Sequence, residues 1–263
     1  MARLAFIGTG KMATALISSI YKNNLAKEIT ASDHNEDNLR KIKSKFKVKT
    51  TNDNKEAVRN SDIVFICVKP QNIDEVLNEI KKETKNQLVV SIAAGIKIRH
   101  IESLLKKTRV IRVMPNINCL VGEMAAGFSK GKYATKDDVY EVSKLLKASG
   151  IAFEIHEEWI DALSVVSGCG PAFFAYFMKA IADSGIKNGL KKDVAYTLAA
   201  KTMLGTGKLL IEMNLSPDEL IDMVASKKGV TVEGLKVLDK KKVKNILKEM
   251  FDAALKRSKE LGK

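Results

Sequence analysis

Apolar positions follow two regimes along this chain. Over the first 157 residues they cluster in short runs, at 4–7, 62–68, 87–93 and 109–114, and Ile29-Thr30-Ala31-Ser32 reads as a further strand. Runs of this length and continuity suit parallel β-strands buried on both faces. Between them lie amphipathic stretches, at 37–46, 55–60, 73–83 and 98–106, that read as helices. Strands alternating with helices predict right-handed crossovers and a doubly wound, mainly parallel sheet. After Trp159 the strand pattern stops. Helices are expected at 161–167, 171–189, 191–213, 217–226 and 232–260, with Pro171 in a first turn and Ser216-Pro217 as an N-cap followed by proline. The division is therefore an α/β domain over 1–157 and an all-α domain over 158–263. Ala175, Met178 and Ala182, and Ala195, Leu198, Ala199 and Thr202, form small-residue faces for close helix packing. Apolar helices this long exceed what one small bundle buries, which predicts a homo-oligomer through the C-terminal helices.

The first strand carries the most specific local signal. Ile7-Gly8-Thr9-Gly10-Lys11-Met12-Ala13 follows an apolar run and opens a helical pattern. In a strand–turn–helix, Gly8 permits the turn, Gly10 lets a pyrophosphate approach the backbone, and Ala13 is small where helix meets strand. The first N–H groups of such a helix point at the bound anion. Later strands end in Val68-Lys69-Pro70-Gln71, Ala93-Ala94-Gly95 and Met114-Pro115-Asn116. Ordinary turn chemistry accounts for each exit alone. Together with the glycine turn they point to a nucleotide crevice at the carboxyl ends of the strands.

Composition narrows the choice of partner. Hydrophobic residues make up 45 % of the 263, enough for a core and incompatible with disorder. The net charge of +14 comes from dispersed lysines, aromatics are 6 %, and basic and aromatic residues do not interleave. This excludes nucleic acid as the expected partner and leaves a field that draws anionic nucleotides and carboxylates. No apolar run reaches the length of a membrane span and no signal peptide is evident, so no membrane partner is expected. Cys67, Cys119 and Cys169 are few, odd in number and widely spaced, which suits free thiols in a reducing cytoplasm. His34, His100 and His156 lack metal-type partners, so no metal is expected.

In order along the chain, the glycine turn, Val68-Lys69-Pro70-Gln71, Ser91-Ile92-Ala93-Ala94-Gly95-Ile96, Arg112-Val113-Met114-Pro115-Asn116, Ser167-Gly168-Cys169-Gly170-Pro171-Ala172, Asp183-Ser184-Gly185 and Gly229-Val230-Thr231 resemble the pyrroline-5-carboxylate reductase family over nearly the whole length. The resemblance implies an N-terminal Rossmann domain, a helical domain that interlocks into dimers and often decamers, and reduction of a small cyclic imine to L-proline by NADPH or NADH. It places Ile7, Gly8, Thr9, Gly10, Lys11 and Met12 at the pyrophosphate and Asp33 near the adenosine ribose. Asn54, Val68, Lys69, Pro70, Gln71, Ala93, Ala94 and Gly95 then line the cofactor, and Asn116 lies near the nicotinamide. Glu157, Val230 and Thr231 fall near nicotinamide and substrate, while Ser167, Gly168, Cys169 and Gly170 form the other substrate wall. Three departures fall in this pattern. The family's Asn-Thr-Pro reads Asn116-Ile117-Asn118 here, its second serine in Ser-Gly-Ser-Gly-Pro is Cys169, and its Ser-Pro-Gly-Gly-Thr-Thr is Ser226-Lys227-Lys228-Gly229-Val230-Thr231.

The chemistry fits these residue types. A protonated cyclic imine is already electrophilic and needs orientation more than a strong acid. Thr231 is the candidate for the hydrogen bond to the ring nitrogen; it also reads as an N-cap of the last helical region. Gly168 to Gly170, before Pro171, and Gly229 to Thr231 offer backbone N–H groups to a carboxylate, or serve only as turns. Cys169 reads as a small space-filler. Asp33 argues for NADH, because an acid after the second strand bonds the ribose 2′-OH, whereas His34, Arg40 and Lys41 argue for a 2′-phosphate. Two further readings stay open: a relative acting on another imine or on a β-hydroxy acid, the latter needing a helix lysine as general acid where Lys179 and Lys201 sit in no recognisable motif, and a nucleotide-binding regulator without catalysis.

Overall fold

The computed structural model describes residues 1–261. Within them, β1 (Arg3–Ile7), β2 (Glu28–Ser32), β3 (Lys49–Thr51), β4 (Ile63–Ile66), β5 (Leu88–Ser91), β6 (Arg109–Met114), β7 (Met124–Lys130) and β8 (Gly150–Glu154) form one sheet in the order 3-2-1-4-5-6-7-8. Every neighbouring pair is parallel except β6 with β7. That pair is joined by a short 3₁₀ turn, Ile117–Val121, and a connection this short returns the chain antiparallel. The helices here are α1 (Lys11–Lys22), α2 (Glu36–Lys45), α3 (Asn54–Arg59), α4 (Ile73–Ile80), α5 (Ile98–Leu104) and α6 (Lys136–Lys147).

Strand alternation explains the unbroken apolar runs. Leu4 and Phe6 of β1 and Ile63 and Phe65 of β4 point to one face, packed with α1, α2 and α6 side chains such as Leu16, Ile42 and Leu145. Ala5, Ile7, Val64 and Ile66 point to the other, packed with Val58, Leu77 and Ile101 of α3, α4 and α5. Phe6 and Phe65 stack with ring centroids 4.6 Å apart. The chain runs outward from β1 through β2 to β3, then crosses to β4 on the other side of β1. That reversal opens a crevice beyond the carboxyl ends of β1 and β4.

From Glu157 the chain is helical. A 3₁₀ turn (Glu157–Trp159), α7 (Ile160–Leu163), a π-helical turn (Ser164–Cys169) and α8 (Gly170–Lys187) follow without a break. Pro171 is the second residue of α8, in its first turn as expected, although the π-helical turn runs into that helix without a break. The expectation of no membrane-length segment is corrected. Glu157–Lys187 is long and apolar enough, by length and composition alone, to cross a membrane. Ser164, Gly168 and Pro171 interrupt the apolar pattern there without adding charge.

Beyond it come α9 (Lys192–Glu212), α10 (Pro217–Val224), α11 (Val230–Lys240) and α12 (Val243–Leu261). Ser216 caps α10 reciprocally with Glu219, and Pro217 takes the first position. The single helix expected at 232–260 is two, broken where Lys242 turns to a φ of +52°. Contacts divide the chain between Cys169 and Gly170: one unit is Met1–Cys169 with the chain from Leu255, the other Gly170–Ala254. The sequence boundary at 157/158 instead tracks the change from strand to helix.

Candidate functional site

The glycine turn continues the sheet ladder. Ile7 O accepts from Cys67 N at 2.8 Å, and Gly8 N donates to Ser32 O at 2.8 Å. Gly8 has a φ of +87°, and a Cβ there would sit 3.0 Å from the backbone C and O of Cys67. Gly10 differs: it is the N-cap of α1, and a Cβ on it would meet nothing within 4 Å. Its bareness serves no packing inside the chain and leaves room for a ligand at the backbone. The first helical bond runs from Thr14 N to Gly10 O at 2.9 Å, so the N–H groups from Gly10 to Ala13 have no carbonyl within the helix. No acidic residue sits in the first turn of α1. These features fit a pyrophosphate, held by N–H groups and the positive end of the helix dipole.

Asp33 follows β2 directly, and Ser32 pairs with Ile7, so Asp33 lies beside the turn. Its Oδ2 accepts from Thr9 N at 2.8 Å, Thr9 Oγ1 at 2.7 Å and Asn38 Nδ2 at 3.3 Å; Oδ1 accepts from Asn35 N at 2.9 Å. Burial pushes this carboxyl up, but the bonds from Thr9, Asn35 and Asn38 outweigh it and hold it below the ordinary carboxylate value. Asn54 is buried at the start of α3; its Oδ1 accepts from Ser32 Oγ and its Nδ2 donates to Glu79 Oε2, both at 2.7 Å. Its side chain thus braces the wall beneath the end of β2.

The other strand exits lie on the same edge. Lys69, Pro70 and Gln71 are exposed in a 3₁₀ turn after β4 beside half-buried Val68. After β5, Ala93 is buried, Ala94 exposed, and Gly95 takes a φ of +79°. After β6, buried Asn116 donates through Nδ2 to Ser167 O at 3.2 Å and accepts at Oδ1 from Ala125 N at 3.1 Å. Ser167 Oγ donates to Ala125 O. A Cβ on Gly168 would come within 3.0 Å of Met114 Cε. Glu157 Oε1 accepts from Ile98 N at 2.7 Å and from Arg112 Nη1 at 3.1 Å. Cys169 is half-buried, and burial pushes the Cys67 thiol up, so Cys67 is an inert filler under the turn. The candidates from 7 to 168 thereby gather along the carboxyl edge of the sheet.

Sequence reasoning missed Arg112, Ser32, Glu79 and Ala125. Arg112 carried a signal: a charge within the buried run of β6 demands a partner.

In the second unit, Gly170 is buried in α8. Gly229 is the N-cap of α11, so the expected capping role of Thr231 is corrected: it is the second helical residue, exposed, and the cap makes no side-chain bond. Gly229 is bare because a Cβ would lie 2.5 Å from Ser226 Oγ in a tight turn, closed by Gly229 N to Ser226 O at 2.9 Å. Lys228 takes a φ of +62° in that turn. Val230 is 93 % exposed. Lys179 is ion-paired with Asp183, which also accepts from Tyr196 Oη at 2.7 Å, so Lys179 is engaged on its own helix.

Comparison with known proteins agrees with this arrangement. Residues 3–95 match the family model described as NADP oxidoreductase coenzyme F420-dependent, and residues 157–261 match the model of pyrroline-5-carboxylate reductase dimerisation. The pyrroline-5-carboxylate reductase of Methanosarcina acetivorans is 40 % identical over 265 residues, covering 99 % of this chain and 98 % of that protein. A solved pyrroline-5-carboxylate reductase from Coxiella burnetii superposes with a TM-score of 0.95 at 31 % identity, over 100 % of this chain and 99 % of that one. The Plasmodium falciparum pyrroline carboxylate reductase, solved with NADP bound, gives 0.89 at 30 % identity over 100 % and 98 %. Likeness of this degree over the full length of both chains, with the glycine turn in place, means that this chain belongs to the pyrroline-5-carboxylate reductase family.

Proposed function

We propose that the chain reduces 1-pyrroline-5-carboxylate to L-proline, the last step of proline synthesis, with NADH or NADPH as donor. The observation that carries this reading is the open N-terminus of α1 behind Gly10, in a chain that shares its whole length with such reductases. The reduced nicotinamide, when bound, supplies the hydride that the imine carbon accepts.

The remaining work falls to the chain's own groups. Backbone N–H groups from Gly10 to Met12 hold the pyrophosphate, and Ile7 and Thr9 shape the turn. Val68–Gln71 and Ala93–Gly95 form the wall against which the cofactor is laid, and buried Asn54 and Asn116 brace it from beneath. Asn116 acts by fixing Ser167 and Ala125 relative to the end of β6. In the second unit, the first N–H groups of α11, from Gly229 to Thr231, bind the substrate carboxylate. That helix start is the better anion holder, because Gly168 to Gly170 lie within a continuous helical run. Thr231 Oγ1 hydrogen-bonds the ring nitrogen and orients the imine; a protonated imine needs no stronger acid. We assign cofactor binding to 1–157 and substrate binding and homodimer formation to 158–263. Decamer assembly and a cytoplasmic setting accompany this reading; the half-buried or buried free thiols of Cys67, Cys119 and Cys169 suit reducing conditions.

The test is oxidation of NADH and NADPH followed with pyrroline-5-carboxylate as acceptor. Proline formed in step with cofactor consumed supports the proposal. Turnover only with another imine or a β-hydroxy acid, or cofactor binding with no turnover of any of these, overturns it.

A further inference from the structure

We propose that Asp33 makes this chain select NADH over NADPH. The inference rests on the reading that the glycine turn holds a dinucleotide, and it names which one. With the pyrophosphate at the start of α1, the adenosine ribose lies over the carboxyl end of β2. Asp33 is the first residue past that end, and the β1–β2 register sets it beside the turn.

The carboxylate is fixed there. Thr9 N, Thr9 Oγ1 and Asn38 Nδ2 occupy Oδ2, and Asn35 N occupies one position on Oδ1. A carboxylate offers about four acceptor positions, two on each oxygen, so Oδ1 retains one for a ribose hydroxyl. Swinging the group away from a 2′-phosphate would strip Thr9, which is only 5 % exposed, of the acceptor for its N–H. A buried donor without a partner is costly. The charge therefore stays where a 2′-phosphate would have to go. Its ionisation is secure, since the same bonds hold the carboxyl below its ordinary value.

His34, Arg40 and Lys41 are the cations that a 2′-phosphate would meet here, and the guanidinium among them is already engaged. The β2–α2 connection brings two further carboxylates, Glu36 and Asp37, into the first turn of α2. Arg40, the guanidinium on that helix, is paired with both of them. It is thus neutralised by its own helix. The 2′-phosphate of NADPH would bring about two negative charges toward Asp33, while NADH brings a hydroxyl that Oδ1 can accept.

Dissociation constants for NADH and NADPH, measured by calorimetric titration without substrate, test the inference independently of turnover. NADH should bind about tenfold tighter or more. Asp33→Ser and the near-isosteric Asp33→Asn should weaken NADH and strengthen NADPH, collapsing that ratio. A carboxylate that merely held the turn would, on removal, weaken both cofactors equally. Thr9→Val, which keeps the charge but removes one bond, should preserve the NADH preference. Equal or tighter NADPH binding by the parent chain overturns the inference while leaving the reductase reading intact, as does an unchanged ratio in the folded Asp33→Asn variant. Binding of neither cofactor overturns both.

Discussion

At the scale of single residues, Gly8 and Gly10 look alike in sequence but are bare for opposite reasons. A side chain at Gly8 would be strained by a φ of +87° and pressed against the Cys67 backbone at 3.0 Å. Gly8→Ala should therefore cost about 1–3 kcal/mol of stability, read from the denaturant midpoint. A side chain at Gly10 would meet nothing within 4 Å. Gly10→Ala should lose less than about 1 kcal/mol, the usual difference between these residues at an N-cap. It should nevertheless weaken either nicotinamide cofactor about tenfold or more by filling the pyrophosphate's place. A Gly10→Ala variant that binds cofactor as the parent does would remove the pyrophosphate from this turn. The sequence made the glycine pair legible because the turn is local. It left the Asp33–Thr9 bonds hidden, because they join residues 24 positions apart and only the β1–β2 register brings them together.

At the scale of elements, the buried runs of β1, β4, β5 and β6 were legible because both faces of each strand are covered. β7 was not: Met124-Ala125-Ala126-Gly127-Phe128-Ser129-Lys130 has no β-branched residue, and Gly127 is there because a Cβ would strike Leu163 Cδ1 at 2.3 Å. The break between α11 and α12 was equally hidden, since Lys240-Lys241-Lys242 are all good helix formers. Lys242 sits at a φ of +52° in that break. Lys242→Gly should consequently stabilise by roughly 0.5–1 kcal/mol, seen as a higher melting temperature, by removing a Cβ from a left-handed position. Glu157 ties an element junction together. The family resemblance placed it near the nicotinamide and substrate, and in the fold its carboxylate joins the first N–H of α5 to Arg112 on β6. Arg112 has a side chain only 5 % exposed. Glu157→Ala should therefore cost about 3 kcal/mol in denaturant titration by stranding a buried guanidinium. Adding Arg112→Met should recover part of that loss, because no buried charge then lacks its partner. A double variant as unstable as the sum of the two single ones would deny the coupling.

At the scale of the whole molecule, the two units differ in what holds them. The first has a two-sided core with Phe6, Phe65 and Phe128 fully buried. The second unit, Gly170–Ala254, buries only Ala182 and Ala195 among its hydrophobic side chains, while Phe174, Tyr176, Ile181 and Ile211 are 60 to 77 % exposed. Small side chains alone supply little of the area that stabilises a fold at about 25 cal/mol per Å². The long apolar helices were plain in the sequence, but which surface they face was not, since helical periodicity is the same whether the cover is a domain, a bilayer or a second copy. The segment 157–261 carries the dimerisation pattern of its family, which favours the second copy. Two acidic substitutions on α8, Tyr176→Asp with Ile181→Asp, put charge on side chains 73 and 67 % exposed in the single chain. They cost little in a free helix, where both positions face water, but much in an interface that removes that water. Light scattering should give the parent chain a mass of at least two copies and the double variant a shift toward one. A variant that keeps the parent mass and stability would place the contact between copies somewhere other than these two positions of α8. A parent chain that is itself monomeric would mean that these helices are covered by something other than their own kind.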